Sequence, residues 1–472
     1  MVTDAKFAEW LRDSTAQRIA LYDFGTETPR KLSSKAYGGA LYEAAIAQGG
    51  GLRVTQEITP DGQARYAAGE IRVVNHDGSR DGWLDEVWKN APVTVRIGDV
   101  RWAVTDFRTR FSGFVDDVDG SDPDFITIRL RDALQELNTP MTEEKIDGDA
   151  VWPLTYGEVP NITPRVLGSG YVYHKGASEG LVAGEARVSG KPRNGSLVTQ
   201  DTASSTFSLT TALGPGVLTC SVQGDKSGGV YRNTIGALVR LFVTAYGKAP
   251  ADIDAANFDA FEAAHPQQVG LHLASSTLVL AACAMLASSV QGQLIPSALG
   301  ALRLVKWGVP AAAVGTILVG DYRDGTLKPV RRHRVAAAVK IAYCRNYTVQ
   351  PDLQTSILPA HKQWFAQPWR TTTKSDDAVA ARYKLTKDPQ QEETCLLNLQ
   401  DADAEATRRL NWRKVQRTTF AFLGTPVALL YEIGEGRTLF GKRWGLAAGK
   451  LGQITALTFD YNTFLVDGEI TI

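Results

Sequence analysis

Val93-Thr94-Val95-Arg96-Ile97 alternates apolar and polar residues, the period of a strand with one buried face. Gly98-Asp99 gives a turn signal, and Val100-Arg101-Trp102-Ala103-Val104 reads as the returning strand. Two further alternating runs follow, Phe111 to Val118 and Phe125-Ile126-Thr127-Ile128-Arg129-Leu130, split by the turn-forming Asp119-Gly120-Ser121-Asp122-Pro123. Short strands at this spacing argue for an antiparallel barrel or sandwich. Upstream, Asp4 is placed to cap a short helix carrying Phe7, Trp10 and Leu11 on one face.

Outward from that run the chain separates into four zones: a β-barrel-like domain over 1–155, a Gly/Ser-rich β insertion over 156–230, a helical domain over 231–325 and a second β-barrel-like domain over 326–472. The expected class is therefore mainly β with a helical middle domain, an α+β multidomain chain. In the insertion, Phe207-Ser208-Leu209-Thr210 and Val217 to Val222 flank Leu213-Gly214-Pro215-Gly216, which predicts a hairpin. In the helical zone, Ile235, Leu238, Val239, Phe242, Val243 and Tyr246 keep helical spacing, with Asn233 or Thr234 as cap and Gly247 as stop. Asp254 opens a second helix with Phe258 and Phe261, and Ser275 and Ser276 open a third that is apolar nearly all round. In the last zone Val335 to Tyr343 is β-like, a polar stretch runs to about residue 400, and Asp401 caps a helix through Arg408–Arg413. Thr418–Leu423, Val427–Ile433, Gln453–Tyr461 and Phe464–Ile472 then read as strands. Ile97-Gly98 and Ile433-Gly434 each precede two closing strands, a faint echo that predicts two barrels of one plan.

Composition bounds the function. The chain has 472 residues, 44% hydrophobic and 22% charged, so it is globular and long enough for two to four domains at about 100–200 residues each. Its 51 Lys and Arg balance 51 Asp and Glu, which removes the cationic excess of a duplex-binding protein. Cys220, Cys283, Cys344 and Cys395 form no C-x-x-C pair, excluding zinc ribbons and thioredoxin-like centres and leaving four buried thiols as the expectation. Met1-Val2-Thr3-Asp4 opens no signal peptide, and the apolar stretch Leu278–Leu286 falls short of the ~20 residues that span a bilayer. The expectation is a soluble chain made without export.

Chemical motifs are incomplete. Gly176-Ala177-Ser178-Glu179-Gly180 matches G-x-S-x-G, but a nucleophile elbow needs a helix after the serine, and Leu181-Val182-Ala183-Gly184 reads as strand. Gly436 to Lys442 begins a P-loop, yet Arg443 stands where Ser or Thr must hold magnesium. His76, His174, His265, His272, His333 and His361 form no helical metal pair. The pairs Asp116/Asp117, Glu143/Glu144 and Asp376/Asp377 sit beside turns, where adjacent side chains point apart. Two basic runs, Lys328–Arg334 and Arg408-Arg409 with Arg413-Lys414, read as solvated ends or, alternatively, as lumen or subunit contacts. No catalytic, cofactor-binding or metal residue is therefore expected.

One series of landmarks suggests more. Arg18-Ile19-Ala20-Leu21-Tyr22, Leu32-Ser33-Ser34-Lys35-Ala36-Tyr37, Gly69-Glu70-Ile71-Arg72-Val73-Val74-Asn75-His76-Asp77-Gly78, Phe111-Ser112-Gly113-Phe114-Val115 and Thr127-Ile128-Arg129-Leu130-Arg131-Asp132 lead into Pro153-Leu154-Thr155-Tyr156-Gly157-Glu158-Val159-Pro160-Asn161-Ile162-Thr163-Pro164. Phe258 to Phe261, Gln268-Val269-Gly270-Leu271, a helix with Ala404, Arg408 and Leu410, and Arg443-Trp444-Gly445-Leu446-Ala447-Ala448-Gly449-Lys450 follow in order. The series resembles the baseplate hub, or tail-tip, proteins of long-tailed (siphovirus-like) bacteriophages and gene transfer agents. It covers most of the chain and is weakest over 165–225 and 350–400. The resemblance implies a non-enzymatic hub of the virion, assembled in the host cytoplasm, that closes the tail tube and lines the DNA exit path. It implies a homotrimer meeting a distal tail protein, a tape measure protein and receptor-binding or tail fibre proteins, with no cofactor, and facing the host envelope during infection. The alternative it leaves open is a tail-associated cell-wall or polysaccharide hydrolase.

Overall fold

The computed structural model describes residues 2–38, 41–62, 64–148, 150–193, 198–248, 252–353 and 355–472. The alternation at Val93–Ile97 builds the strand Pro92–Asp99, with Val93, Val95 and Ile97 buried. It lies in a six-stranded antiparallel sheet ordered Arg30–Ser33, Arg18–Phe24, Pro92–Asp99, Arg108–Asp122, Phe125–Leu130, Glu70–Val74. The returning strand begins at Arg108, not at Val100. Asp99 stays in the first strand because its buried carboxylate accepts from Trp10 Nε1 at 2.9 Å, Gln17 N at 3.0 Å and Arg101 N at 3.1 Å. The chain then turns through a 3₁₀ segment, Val104–Asp106. The helix Asp4–Arg12 buries Phe7, Trp10 and Leu11, and its cap is Thr3, whose hydroxyl accepts from Lys6 N, rather than Asp4.

The last zone, joined by Gly315–Ile317 from the helical zone, forms a sheet ordered Gly315–Ile317, Gly436–Leu439, Lys450–Asp460, Leu465–Thr471, Thr418–Gly424, Lys328–Arg332. Its first pair is parallel and the rest antiparallel. The hairpin Arg53–Glu57 and Arg65–Ala68 joins it through Lys450–Asp460, so the first and last zones share a sheet. Val427–Ile433 is not a strand: Pro426, lacking an N–H for a ladder, starts a 3₁₀ turn over Pro426–Leu430. Ile433-Gly434 accordingly lies between elements, whereas Ile97-Gly98 lies within a strand. The helix Leu399–Arg413 starts earlier than expected, with Asn398 at the cap and Asp401 in the first turn.

The two sheets nevertheless repeat one plan, displaced by an element from the sequence echo. In the first, Glu70–Val74 leads through the 3₁₀ turn Asp81–Asp85 into the meander Pro92–Asp99, Arg108–Asp122, Phe125–Leu130, whose last strand pairs back on Glu70–Val74. In the second, Thr418–Gly424 leads through Pro426–Leu430 into Gly436–Leu439, Lys450–Asp460, Leu465–Thr471, whose last strand pairs back on Thr418–Gly424. Both are Greek-key units. They differ in the strand flanking the meander, antiparallel Arg18–Phe24 in one and parallel Gly315–Ile317 in the other. Strand exceeds helix, 39% to 19%, so the class is mainly β.

Between them lie the helices Ile235–Ala245, Ala255–Ala264 and Val279–Ser288. Asp254 caps the second through Asn257 N at 3.0 Å, and Glu262 of that helix accepts from Ala237 N at 2.9 Å and from the Thr234 hydroxyl, capping the first. The third starts at Val279 rather than Ser275, because Met141 N–Thr277 O and Val279 N–Thr139 O bonds hold the preceding residues extended. One continuous core joins these helices to both sheets.

The insertion carries its own core, including Val159, Ile162, Tyr173, Phe207, Cys220 and Val222. It hangs on Leu154–Ile162, which pairs with Gly270–Leu273 on one side and Leu218–Asp225 on the other. Close approach there needs Gly157: its φ is +64°, and a Cβ would sit 2.0 Å from the Val269 carbonyl. The expected hairpin at 213–216 is absent. Thr206–Leu209 joins a four-stranded sheet and Leu218–Asp225 a five-stranded one, so the Gly-Pro-Gly loop carries the chain between sheets.

Candidate functional site

The helix Leu399–Arg413 buries Ala402, Ala406 and Leu410, and the same turns bring Glu405, Arg408 and Arg409 inward. Glu405 and Arg409 side chains are each 5% exposed, and Arg409 Nε donates to Glu405 Oε1 at 2.6 Å. Arg409 also reaches Glu392 at 2.7 Å and the Ser288 and Ser289 carbonyls at 2.9 and 3.0 Å, the negative end of the Val279–Ser288 helix. Arg408 donates to Glu405 at 2.7 Å and to Gln291 Oε1 at 2.9 Å, and Arg413 clasps Glu392. Burial raises the Glu405 pKa, but the Arg408 hydrogen bond and the charges of Arg409 and Arg408 outweigh it and hold the carboxyl below its ordinary value. This basic run thus forms an internal clasp between the middle helices and the last zone, with Arg409 buried and Arg408 and Arg413 half-buried rather than fully solvated. Lys414, the most exposed of the four, lies 3.5 Å from Asp376.

The other basic run, Lys328–Arg334, begins with the edge strand Lys328–Arg332, whose residues are all exposed and whose one strand partner among the described residues is Thr418–Gly424. Pro329 and the charges blunt that edge against further pairing.

Ser178 opens the strand Ser178–Val188, so no helix follows it. It is 2% exposed and bonds the Tyr173 hydroxyl at 2.5 Å. Beside it lies a buried polar cluster that the sequence did not reveal, since its members are scattered along the chain. His174 Nδ1 accepts from Thr155 N at 3.0 Å, His174 Nε2 lies 3.6 Å from Asp225, and His272 Nδ1 meets the Thr155 hydroxyl at 2.9 Å. Burial pushes His272 down to about 3, with the charges of Arg165 and Arg345 adding to it, so it stays neutral and structural. Lys442 follows Gly436–Leu439 into a turn, where it lies exposed 3.5 Å from Asp324.

The remaining candidates disperse. His76 is exposed beside Asp124 at 3.0 Å, burial takes His265 down to about 4, His333 bonds Thr419 and His361 is exposed. Asp376 caps the helix Asp377–Tyr383 through Val379 N, Glu144 pairs with Lys175, and Asp116 and Asp117 lie in the strand Arg108–Asp122. Among the described residues no three metal-ligating side chains converge, and no helix is long and apolar enough to cross a membrane. Cys220 and Cys283 are buried thiols, but Cys344 and Cys395 are only half-buried.

No protein-family model and no curated protein matches the sequence. Among solved structures, a tail protein from Neisseria meningitidis shares 9% identity at a TM-score of 0.45, covering 96% of each chain. The chain is similar to phage tail proteins. The 43 kDa tail protein of prophage MuSo2 from Shewanella oneidensis shares 11% identity at a TM-score of 0.41, covering 96% of this chain and 98% of that one. A chain of a native gene transfer agent virion shares 11% at a TM-score of 0.47, covering 72% of this chain and 91% of that one.

Proposed function

We propose that the chain is a structural baseplate hub of a bacteriophage, a virion component assembled in the host cytoplasm that closes the distal tail tube. In this reading it is not an enzyme; it docks adsorption proteins, a distal tail protein and a tape measure protein, and lets DNA pass without specific binding. The observation that carries it is the repeated strand, 3₁₀ turn and back-pairing meander in the first and last zones. A homotrimer with two such units per subunit presents six similar units to a six-fold tube and three copies of everything else, within closed cyclic symmetry. The zero net charge suits a wall that phosphates slide past. The mass of the assembled ring and the copy number per particle test this, and three copies are expected. Six copies would overturn it.

A hub without catalysis also predicts silent motifs. Ser178→Ala loses one buried hydrogen bond, about 1 kcal/mol, and Lys442→Ala removes only an exposed amine. Plaque counts for both are expected to match the parent. A drop beyond roughly tenfold in a variant that still folds would restore the hydrolase reading, because a lost hydrogen bond of about 1 kcal/mol leaves a stable chain folded.

A further inference from the structure

Beside the internal clasp a cleft of about 960 Å³ opens between the helix Leu399–Arg413, the strand Leu302–Lys306 with the following Val309 and Pro310, and Gly434–Glu435. That is the upper end of the ~300–1,000 Å³ of ligand pockets, room for a segment of chain rather than an ion. Most charges lining it are already partnered: Arg303 with Asp254 and Glu432, Arg408 with Glu405, Asp403 with Lys374, and Glu435 with Arg437. Lys306 is different. Its half-buried ammonium has no hydrogen-bond or ion-pair partner among the described residues. Burial and then the charge of Arg408 lower it to about 8, with Glu405 opposing.

The charge beneath the cleft is unbalanced. Among the described residues Arg408, Arg409 and Arg413 share only the carboxylates of Glu405 and Glu392, and Lys306 adds a second uncompensated cation. A half-buried cation beside a cationic excess is costly, and an incoming carboxylate relieves it. The rest of the lining sets the shape of the occupant. Asn411 is exposed and offers an amide, Trp412, 8% exposed, lines the cleft, and Val309, 55% exposed, forms an apolar lip.

We propose that this cleft docks an acidic, extended peptide segment of a partner protein, its carboxylate on Lys306 and a neighbouring apolar side chain on Val309 and Trp412. The proposal names a partner chemistry for the docking role above and rests on that reading for its biological occupant. Its test does not: it uses the purified full chain and a synthetic peptide of alternating Asp and Leu, titrated by tryptophan fluorescence and calorimetry. Saturable binding is expected, weakened about tenfold or more by Lys306→Met, which keeps the apolar stem, and by Asn in place of Asp in the peptide. Val309→Ser gives a second arm with a smaller loss. Each variant is first checked for an unchanged circular dichroism spectrum. No binding at millimolar peptide, equal binding of the Asn peptide, or citrate binding as tightly as the peptide would each overturn the proposal. So would a change in oligomeric state with Lys306→Met, which would make a second copy the occupant. Copy number in the particle tests the hub reading separately, so either can fail alone.

Discussion

Deleting Phe464–Ile472 is expected to abolish folding of the C-terminal sheet and send the chain to the insoluble fraction. Leu465–Thr471 is an inner strand, paired along its length with Thr418–Gly424 on one side and Lys450–Asp460 on the other. Beyond the strand, Thr418 and Ile472 exchange backbone bonds at 3.1 and 3.0 Å. Val466 and Ile470 are fully buried, and burying such side chains contributes about 1.5–3 kcal/mol each. Gly468 lets the Phe422 ring lie flat on the strand, since a Cβ there would fall 2.3 Å from its Cζ. Against a total stability of about 5–15 kcal/mol, losing two apolar anchors and both ladders is not survivable. The two inner edges left behind are templates for aggregation. Fractionation after expression and a thermal melt of any soluble product check this. A soluble truncated chain with a cooperative transition would mean that the last strand is peripheral.

What was legible in the sequence was whatever depended on local period. Val93–Ile97, Phe125–Leu130 and Ile235–Tyr246 announce themselves because one buried face imposes a repeat of two or 3.6. What failed depended on distant partners. Asp99 reads as a turn residue until Trp10, 89 positions away, is seen donating to it. Val427–Leu430 has the apolar content of a strand, yet Pro426 commits it to a 3₁₀ turn. Strands flanking Gly214-Pro215-Gly216 could have paired with each other, but each found a different sheet. The clasp was half visible. Glu405 and Arg409 stand four apart on a helix, the spacing of an ion pair, but nothing local says that Ser288 and Glu392 close over them. Charge runs are usually solvated, and that prior misplaced Arg408 and Arg409.

The clasp supplies the second large effect. Glu405→Ala leaves Arg408 and Arg409 facing each other with only Glu392 as counter-ion, and removing one partner of a buried pair costs about 3–5 kcal/mol. Urea unfolding at neutral pH is expected to show that loss, with the middle helices and the last zone losing their common transition. Acid should reveal the same group. Glu405 and Glu392 are held below their ordinary value near 4.5, so their contribution is present above it and lost as pH falls through the folded-state pKa. His265 and His272, lowered from 6.5 to about 4 and about 3, are neutral when folded and take up protons on unfolding, so stability begins to fall once pH drops below 6.5. The parent therefore weakens in two stages, histidines first and carboxylates below them. Glu405→Ala should keep the first stage and shrink the second. The triple variant Glu405→Leu, Arg408→Met and Arg409→Met is expected to recover much of the loss, because replacing a buried charge triad by apolar groups of similar volume is often neutral. Recovery would show that burial joins these zones and that the charges fix the register. If Glu405→Ala costs less than about 1 kcal/mol, the value of a surface pair, the clasp is open to water and does not join them.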